Sequence, residues 1–128
     1  MEAPALMNAH VQLKKAYTAL GEALDLTREL AGAVDRDDQI TVRMLVSMRQ
    51  EPTDKLAKAQ EALAQQRADL SPADRERLDA LLKGAPAETA EEEPLVNQVG
   101  LNQRILKQLV ELDRVVNRKL ARDKSIYQ

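Results

Sequence analysis

The sequence predicts an all-α fold, an up-down-up bundle of three long amphipathic helices with a short connecting helix, as one domain spanning 1–128. Apolar residues recur at spacings of three, four and seven, which is typical of helices that bury one stripe. Aromatic residues make up only 2% of the chain, which is rich in Ala, Leu, Glu, Lys, Gln and Arg, the good helix formers. No stretch alternates apolar and polar residues with a period of two, so no strand is predicted.

The first helix is predicted over about 5–34, beginning just after Pro4. Its apolar stripe comprises Leu13, Tyr17, Leu20, Leu24, Ala31 and Val34. The segment 35–38 carries three aspartates and is interpreted as a turn whose side chains can cap the next helix.

The second helix is predicted over about 38–69, with Pro52 inside it. A proline within a helix removes one backbone hydrogen bond and clashes with the preceding turn. The helix therefore either bends there, or ends near Gln50 and restarts at Pro52. The apolar spacing continues across the proline and favours a kinked, nearly continuous helix. Its predicted core-facing residues are Ile40, Met44, Leu45, Met48, Leu56, Leu63 and Leu70.

The short connecting helix is predicted over 72–83. Ser71 stands at the cap position and Pro72 at the first helical position, while Gly84 suits the left-handed residue that ends a helix. The following segment, 85–94, contains two prolines, four glutamates and no large apolar residue. It is predicted to be a mobile linker.

The last helix is predicted over about 95–124, with a frayed tail at 125–128. Its apolar arc covers roughly 220°, although an arc a little over 100° suffices for a helix that faces a single core. Leu106 and Val110 widen the arc on one side, and Leu101 and Val115 widen it on the other. Either the helix packs between two neighbours of its own bundle, or these four residues are left to bind a partner helix. They are the predicted partner-binding residues.

Asn102 falls on the apolar stripe of this helix. A polar residue at such a position can set register or oligomer state, or it can pair with a backbone group near the helix start. The second interpretation is favoured.

Composition excludes several classes of function. The chain has no cysteine and one histidine, His10, so neither a thiolate site nor a histidine-rich metal site is expected. The net charge of −2 and the scarcity of aromatic residues argue against nucleic-acid binding. No apolar run approaches 18 residues and no signal-peptide pattern is present, so a cytoplasmic protein without membrane insertion is expected. No cofactor is predicted.

One enzymatic interpretation of the sequence is a helical enzyme similar to chorismate mutase. Arg28 and Asp35 have the spacing of two residues of that family, but Leu45 stands where a second arginine is needed. We therefore predict no catalytic residue and no enzymatic activity.

The segments Leu26–Ile40 and Leu45–Leu56, followed by the long helix around Asn102–Leu106, form a layout that resembles the small flagellar export chaperones of the FlgN and FliT type. In that layout a first amphipathic helix ends in an acidic turn, and a basic residue, here Arg49, follows in the second helix. The resemblance implies a cytoplasmic chaperone that holds a helical segment of a hook-associated or filament-cap protein before export. The alternative from the residues alone is a self-associating bundle, in which the extra apolar face forms a homodimer seam.

Overall fold

The computed structural model describes residues 1–126, and side chains through residue 122. The helices are α1 (Ala3–Asp35), α2 (Gln39–Met48), α3 (Gln50–Ala68), α4 (Pro72–Leu82) and α5 (Glu93–Ile126), with one 3-10 turn, Ala90–Glu92, directly before α5. Within these residues every regular element is helical, so the all-α prediction is confirmed. The predicted frayed tail falls partly on Tyr127 and Gln128, which lie outside the described residues.

The second predicted helix is divided into α2 and α3 at Arg49. Pro52 is the third residue of α3, and its missing N–H leaves the carbonyl of Met48 without an i→i−4 donor. The first-turn N–H groups of a helix have no intrahelical partner in any case, so a proline is tolerated there. The interruption is confined to Arg49, which keeps helical dihedrals and donates its N–H to the carbonyl of Leu45, so a kinked, nearly continuous helix and a helix that restarts differ here by one residue.

α2 also corrects the predicted core. Only Leu45 is buried, whereas Ile40 is 84% exposed and Met44 and Met48 are about half exposed. The reason is geometric, because among the described residues α2 packs mainly on α1, and its Leu45 joins the cluster that contains Val116 of α5, so only one side of α2 is covered.

The predicted turns and caps are found. The Asp38 carboxylate accepts hydrogen bonds from the backbone N–H and the hydroxyl of Thr41, and these bonds lower its pKa. Ser71 caps α4 by accepting from the N–H of Asp74 at 3.2 Å. Gly84 has a φ of 107° after α4, a conformation that favours glycine.

α1 is the central helix of the fold. α5 packs along one side of it and α3 along another, and within the described residues no Cα atom of α3 lies within 8 Å of a Cα atom of α5. The amide of Asn102 meets the carbonyl of Leu13, and Lys119 pairs with Asp35, so α5 runs in the same direction as α1.

Two apolar clusters form the core, one toward each end of α1. The first joins Leu6, Ala9, Leu78, Leu81 and Leu95. The second joins Leu30, Ala33, Val34, Leu45 and Val116. α4 contacts both α3 and α5 at the first cluster, so it fills the space between them at that end of the molecule only.

Candidate functional site

An apolar groove lies between α3 and α5 beyond the end of α4. α1 supplies its floor with Leu13, Ala16 and Leu20, because α3 and α5 flank α1 without closing over it. The volume of the groove is about 310 Å³. The lining residues are Gln12, Leu13, Ala16, Leu20, Leu56, Ala59, Gln60, Leu63, Leu82, Val99, Asn102, Gln103 and Leu106. The groove is therefore an aliphatic surface with a few amide groups and no charged side chain among its lining residues.

α4 closes one end of the groove. Leu82, its last residue, is part of the lining, and a Cβ placed on Gly84 would lie 3.5 Å from the Gln103 amide nitrogen. The turn after α4 thus lies directly against α5. At this end the space between α3 and α5 is occupied by the chain itself.

An ion pair connects the start of α3 with α5 beyond the end of the groove that lies opposite α4. The Arg49 guanidinium donates to the Asp113 carboxylate at 2.9 Å, and both side chains are about 30% exposed. Sequence analysis noted Arg49 as the basic residue of the second helix. It missed Asp113, because the two lie 64 positions apart and no local pattern connects them.

The polar group on the apolar stripe of α5 is fully paired. The Asn102 amide donates to the carbonyl oxygen of Leu13 at 2.9 Å, and its oxygen accepts from the Gln98 amide at 2.9 Å. A backbone partner was predicted near the start of the same helix, and the structure instead places the partner carbonyl in the neighbouring helix α1. Because a buried polar group is costly without its partner, this pairing also fixes the position of α5 along α1.

The four predicted partner-binding residues are all exposed: Leu101 39%, Leu106 46%, Val110 40% and Val115 43%. Leu106 lines the groove, and Val110 lies one turn further along the same side. At 100° per residue, Leu101 and Val115 lie about 140–180° around α5 from the Leu106–Val110 side. The four residues therefore form two separate faces, and one partner helix cannot contact both.

The α3 wall is a part of the site that sequence reasoning missed. Leu56 and Leu63 were expected in the core, but both are only half-buried and line the groove with Ala59. Their spacing predicts a stripe on one side of a helix, and it carries no information about how far a distant helix covers that stripe.

A second ionic network holds the segment before α5. Arg77 donates to both carboxylate oxygens of Glu92, at 2.8 and 3.0 Å, and to the carbonyl of Pro86. Hydrogen bonds from Arg77 and from the N–H of Glu88 lower the pKa of Glu92 to about 2. Mobility of 85–94 stays a prediction, and these bonds show where the segment is tied to α4.

The described residues give no sign of a metal centre or a membrane-spanning helix. None of their His, Cys, Asp and Glu side chains form a group of three or more that could hold a metal. His10 lines a separate depression with Met7, Glu91 and Pro94. Over the same part of the chain, none of the helices has the length and apolar character needed to cross a membrane.

The residues of the enzymatic interpretation take part in separate ion pairs. Arg28 pairs with Asp25, Asp35 pairs with Lys119, and Arg49 pairs with Asp113.

In comparisons with known proteins, no family model, curated protein or solved structure matches this chain. The resemblance to flagellar export chaperones therefore remains a prediction.

Proposed function

We propose that this chain is a cytoplasmic binding protein that holds one amphipathic helix of another protein in the groove between α3 and α5. The observation that carries the proposal is the groove itself, which is lined almost entirely by aliphatic side chains and has Leu106 46% exposed at its edge. Burial of apolar surface is the main favourable contribution to most protein associations. A helix with a matching apolar stripe would cover that surface.

The helix arrangement supports a helical occupant. The proposal treats α1, α3 and α5 as three corners of an up-down-up four-helix bundle with α4 at the fourth corner of one end, which is supported by the contacts of α1 with α3 and α5 and of α4 with both. A partner helix placed beyond α4 would contact both α3 and α5 and complete the bundle. Recognition of this kind uses apolar anchors at i, i+3, i+4 and i+7 of the bound helix.

The resemblance to flagellar export chaperones suggests the class of partner. On that basis, the occupant is a terminal amphipathic helix of a hook-associated or filament-cap protein, held before export. A volume of about 310 Å³ is at the lower end for ligand pockets, and it suits a few side chains projecting from a helix that lies across the surface.

Calorimetric titration with synthetic terminal helices of such export substrates tests the proposal. We expect binding by the wild type and its loss in Leu106→Glu, because a carboxylate would then face an apolar contact surface. Leu101→Glu is the matched control, since Leu101 has similar exposure and lies on another face of α5. Thermal melts of both variants must show an intact fold, and equal loss of binding in both would contradict the groove as the site.

A second candidate function is self-association through the face that carries Leu101 and Val115. Both residues are about 40% exposed and lie away from the groove, so a helix in the groove would leave them uncovered. This alternative predicts a homodimer that Leu101→Glu converts to a monomer and that Leu106→Glu leaves intact. Sedimentation equilibrium distinguishes it from the groove proposal.

A further inference from the structure

The α5 side of the groove has a basic rim. Gln103 lines the groove, and Lys107 and Arg114 continue its row along the helix at i+4 and i+11. Both are exposed, and neither makes an ion pair with another side chain among residues 1–122. Glu111 follows Lys107 by four residues, but the two are not ion-paired. The two cations are therefore available to a molecule in the groove.

The α3 side of the groove has an uncharged rim. The row through Gln60, which lines the groove, contains Thr53, Ala57 and Ala64, and all four residues are exposed. At the far end, the negative charge of Asp113 is balanced by Arg49 at 2.9 Å. The two rims thus differ in charge, because Lys107 and Arg114 with Glu111 between them give the α5 side a net charge of +1, whereas the α3 row carries none.

The two closed ends limit the length of an occupant. Gln103 lies against the turn after α4, and Asp113 marks the bridge to Arg49. Their separation of ten positions corresponds to about 15 Å, or about three helical turns. Lys107 and Arg114 are seven positions apart, which is two turns, and Arg114 follows Asp113 directly, so a helix that reaches the Arg49–Asp113 pair can place acidic residues opposite both cations.

We propose that the groove selects a three-turn amphipathic helix with two acidic residues, spaced seven apart, along the edge that faces α5. This inference rests on the proposed function and names the chemistry of its partner. The apolar stripe supplies most of the affinity, while the acidic edge decides which helices bind and in which orientation. A helix with a basic edge is disfavoured by like-charge repulsion at Lys107 and Arg114.

Three synthetic helical peptides of roughly 12 residues, which is close to three turns, test this inference. They share one aliphatic stripe and differ only at two edge positions seven apart, which carry Glu, Gln or Lys. Two exposed ion pairs predict that the Glu peptide binds about threefold to tenfold more tightly than the Gln peptide at low ionic strength. The Lys peptide is expected to bind most weakly, and the differences should largely vanish near about 1 M salt.

Charge reversal in the protein locates the effect. The double variant Lys107→Glu and Arg114→Glu should invert the order, so that the Lys peptide binds best. The matched control is Lys14→Glu with Lys15→Glu, which changes two exposed lysines of α1 outside the groove and should preserve the order. Leu106→Glu should abolish binding of all three peptides.

The outcomes separate this inference from the function on which it rests. Equal affinities for the three peptides, or an order that the reversal leaves unchanged, would overturn the acidic-edge inference and leave the groove as a helix site. Binding that survives Leu106→Glu would overturn both the groove and its proposed selectivity, as would a failure of all three peptides to bind. A wild-type dimer that Leu106→Glu dissociates would assign the groove to a second copy of the chain and also overturn both.

Discussion

The first turns of α5 and its middle turns have similar sequence character but different surroundings. Leu95 and Val99 are buried, because α4 packs beside α1 at that end. Leu106 and Val110 continue the same side of α5 and are 40% or more exposed, because α4 ends at Leu82. A wide apolar arc thus indicates that a helix has two neighbours. How much of the arc is covered depends on how far the second neighbour, here α4, extends along it.

The largest expected difference in the free energy of unfolding is between alanine substitutions of a buried leucine and of a leucine that lines the groove. Leu81 is fully buried in the first cluster, so Leu81→Ala should lower the free energy of unfolding by about 2–5 kcal/mol. Leu106→Ala should cost less than about 1 kcal/mol, because the residue is half exposed. Urea unfolding of both variants measures the contrast. Similar losses would mean that the middle of the groove is covered in solution.

The hydrogen-bonded contact between Arg77 of α4 and Glu92 should contribute less to the stability of the fold. Glu92 is 5% exposed and receives bonds from Arg77 and from the backbone, so Glu92→Ala should destabilise the fold by about 1–3 kcal/mol. Glu91→Ala is the matched control on an exposed neighbour and should change stability little. Equal melting temperatures for the two variants would contradict a stabilising role for this contact.

Low pH should weaken the contact between Glu92 and Arg77. The pKa of Glu92 is lowered from its ordinary 4.5 to about 2, so its ionised form stabilises the fold above pH 4.5. That contribution should be lost progressively as the pH falls from 4.5 toward 2. The stability of Glu92→Gln should depend less on pH in this window than that of the wild type. Parallel pH dependences would show that other carboxylates account for the acid sensitivity.

Alanine substitutions of two glycines should change stability by smaller amounts and in opposite directions. Gly84 has a φ of 107° in the turn that closes the groove, so Gly84→Ala should cost about 1–2 kcal/mol through backbone strain. Gly100 lies inside α5, and a Cβ there would meet no atom within 4 Å, so Gly100→Ala should stabilise by about 0.5–1 kcal/mol. Thermal melts compare the two variants. A stabilising Gly84→Ala would mean that the turn relaxes to another conformation.

The smallest effect is expected at the start of the α3 wall. Pro52 occupies the first turn of α3, where a missing N–H matters little, so Pro52→Ala should change stability by less than about 1 kcal/mol. Helical circular dichroism should stay level or rise slightly. Because the proline is buried, a large destabilisation would assign it a packing role that alanine cannot fill.

The sequence determined which segments are helical and where most of them begin and end. Asp38 and Ser71 cap their helices and Gly84 ends one, because these effects depend on residues three to five positions apart. For Asn102 the sequence predicted a backbone hydrogen bond, but only the tertiary structure decided that its partner is the carbonyl of Leu13 in another helix. The division at Arg49 lay near the limit of this reasoning, because Pro52 is compatible with either a bent helix or a new one.

Only the tertiary structure decided which apolar residues are covered. The exposure of Ile40, the half-burial of Leu56 and Leu63, and the placement of Leu106 and Leu101 on separate faces all depend on distant helices. The pairing of Arg49 with Asp113 spans 64 positions in the same way. Local spacing places a side chain on a helix face, whereas a groove exists only because α3 and α5 stand apart on α1 and α4 is too short to fill the space between them.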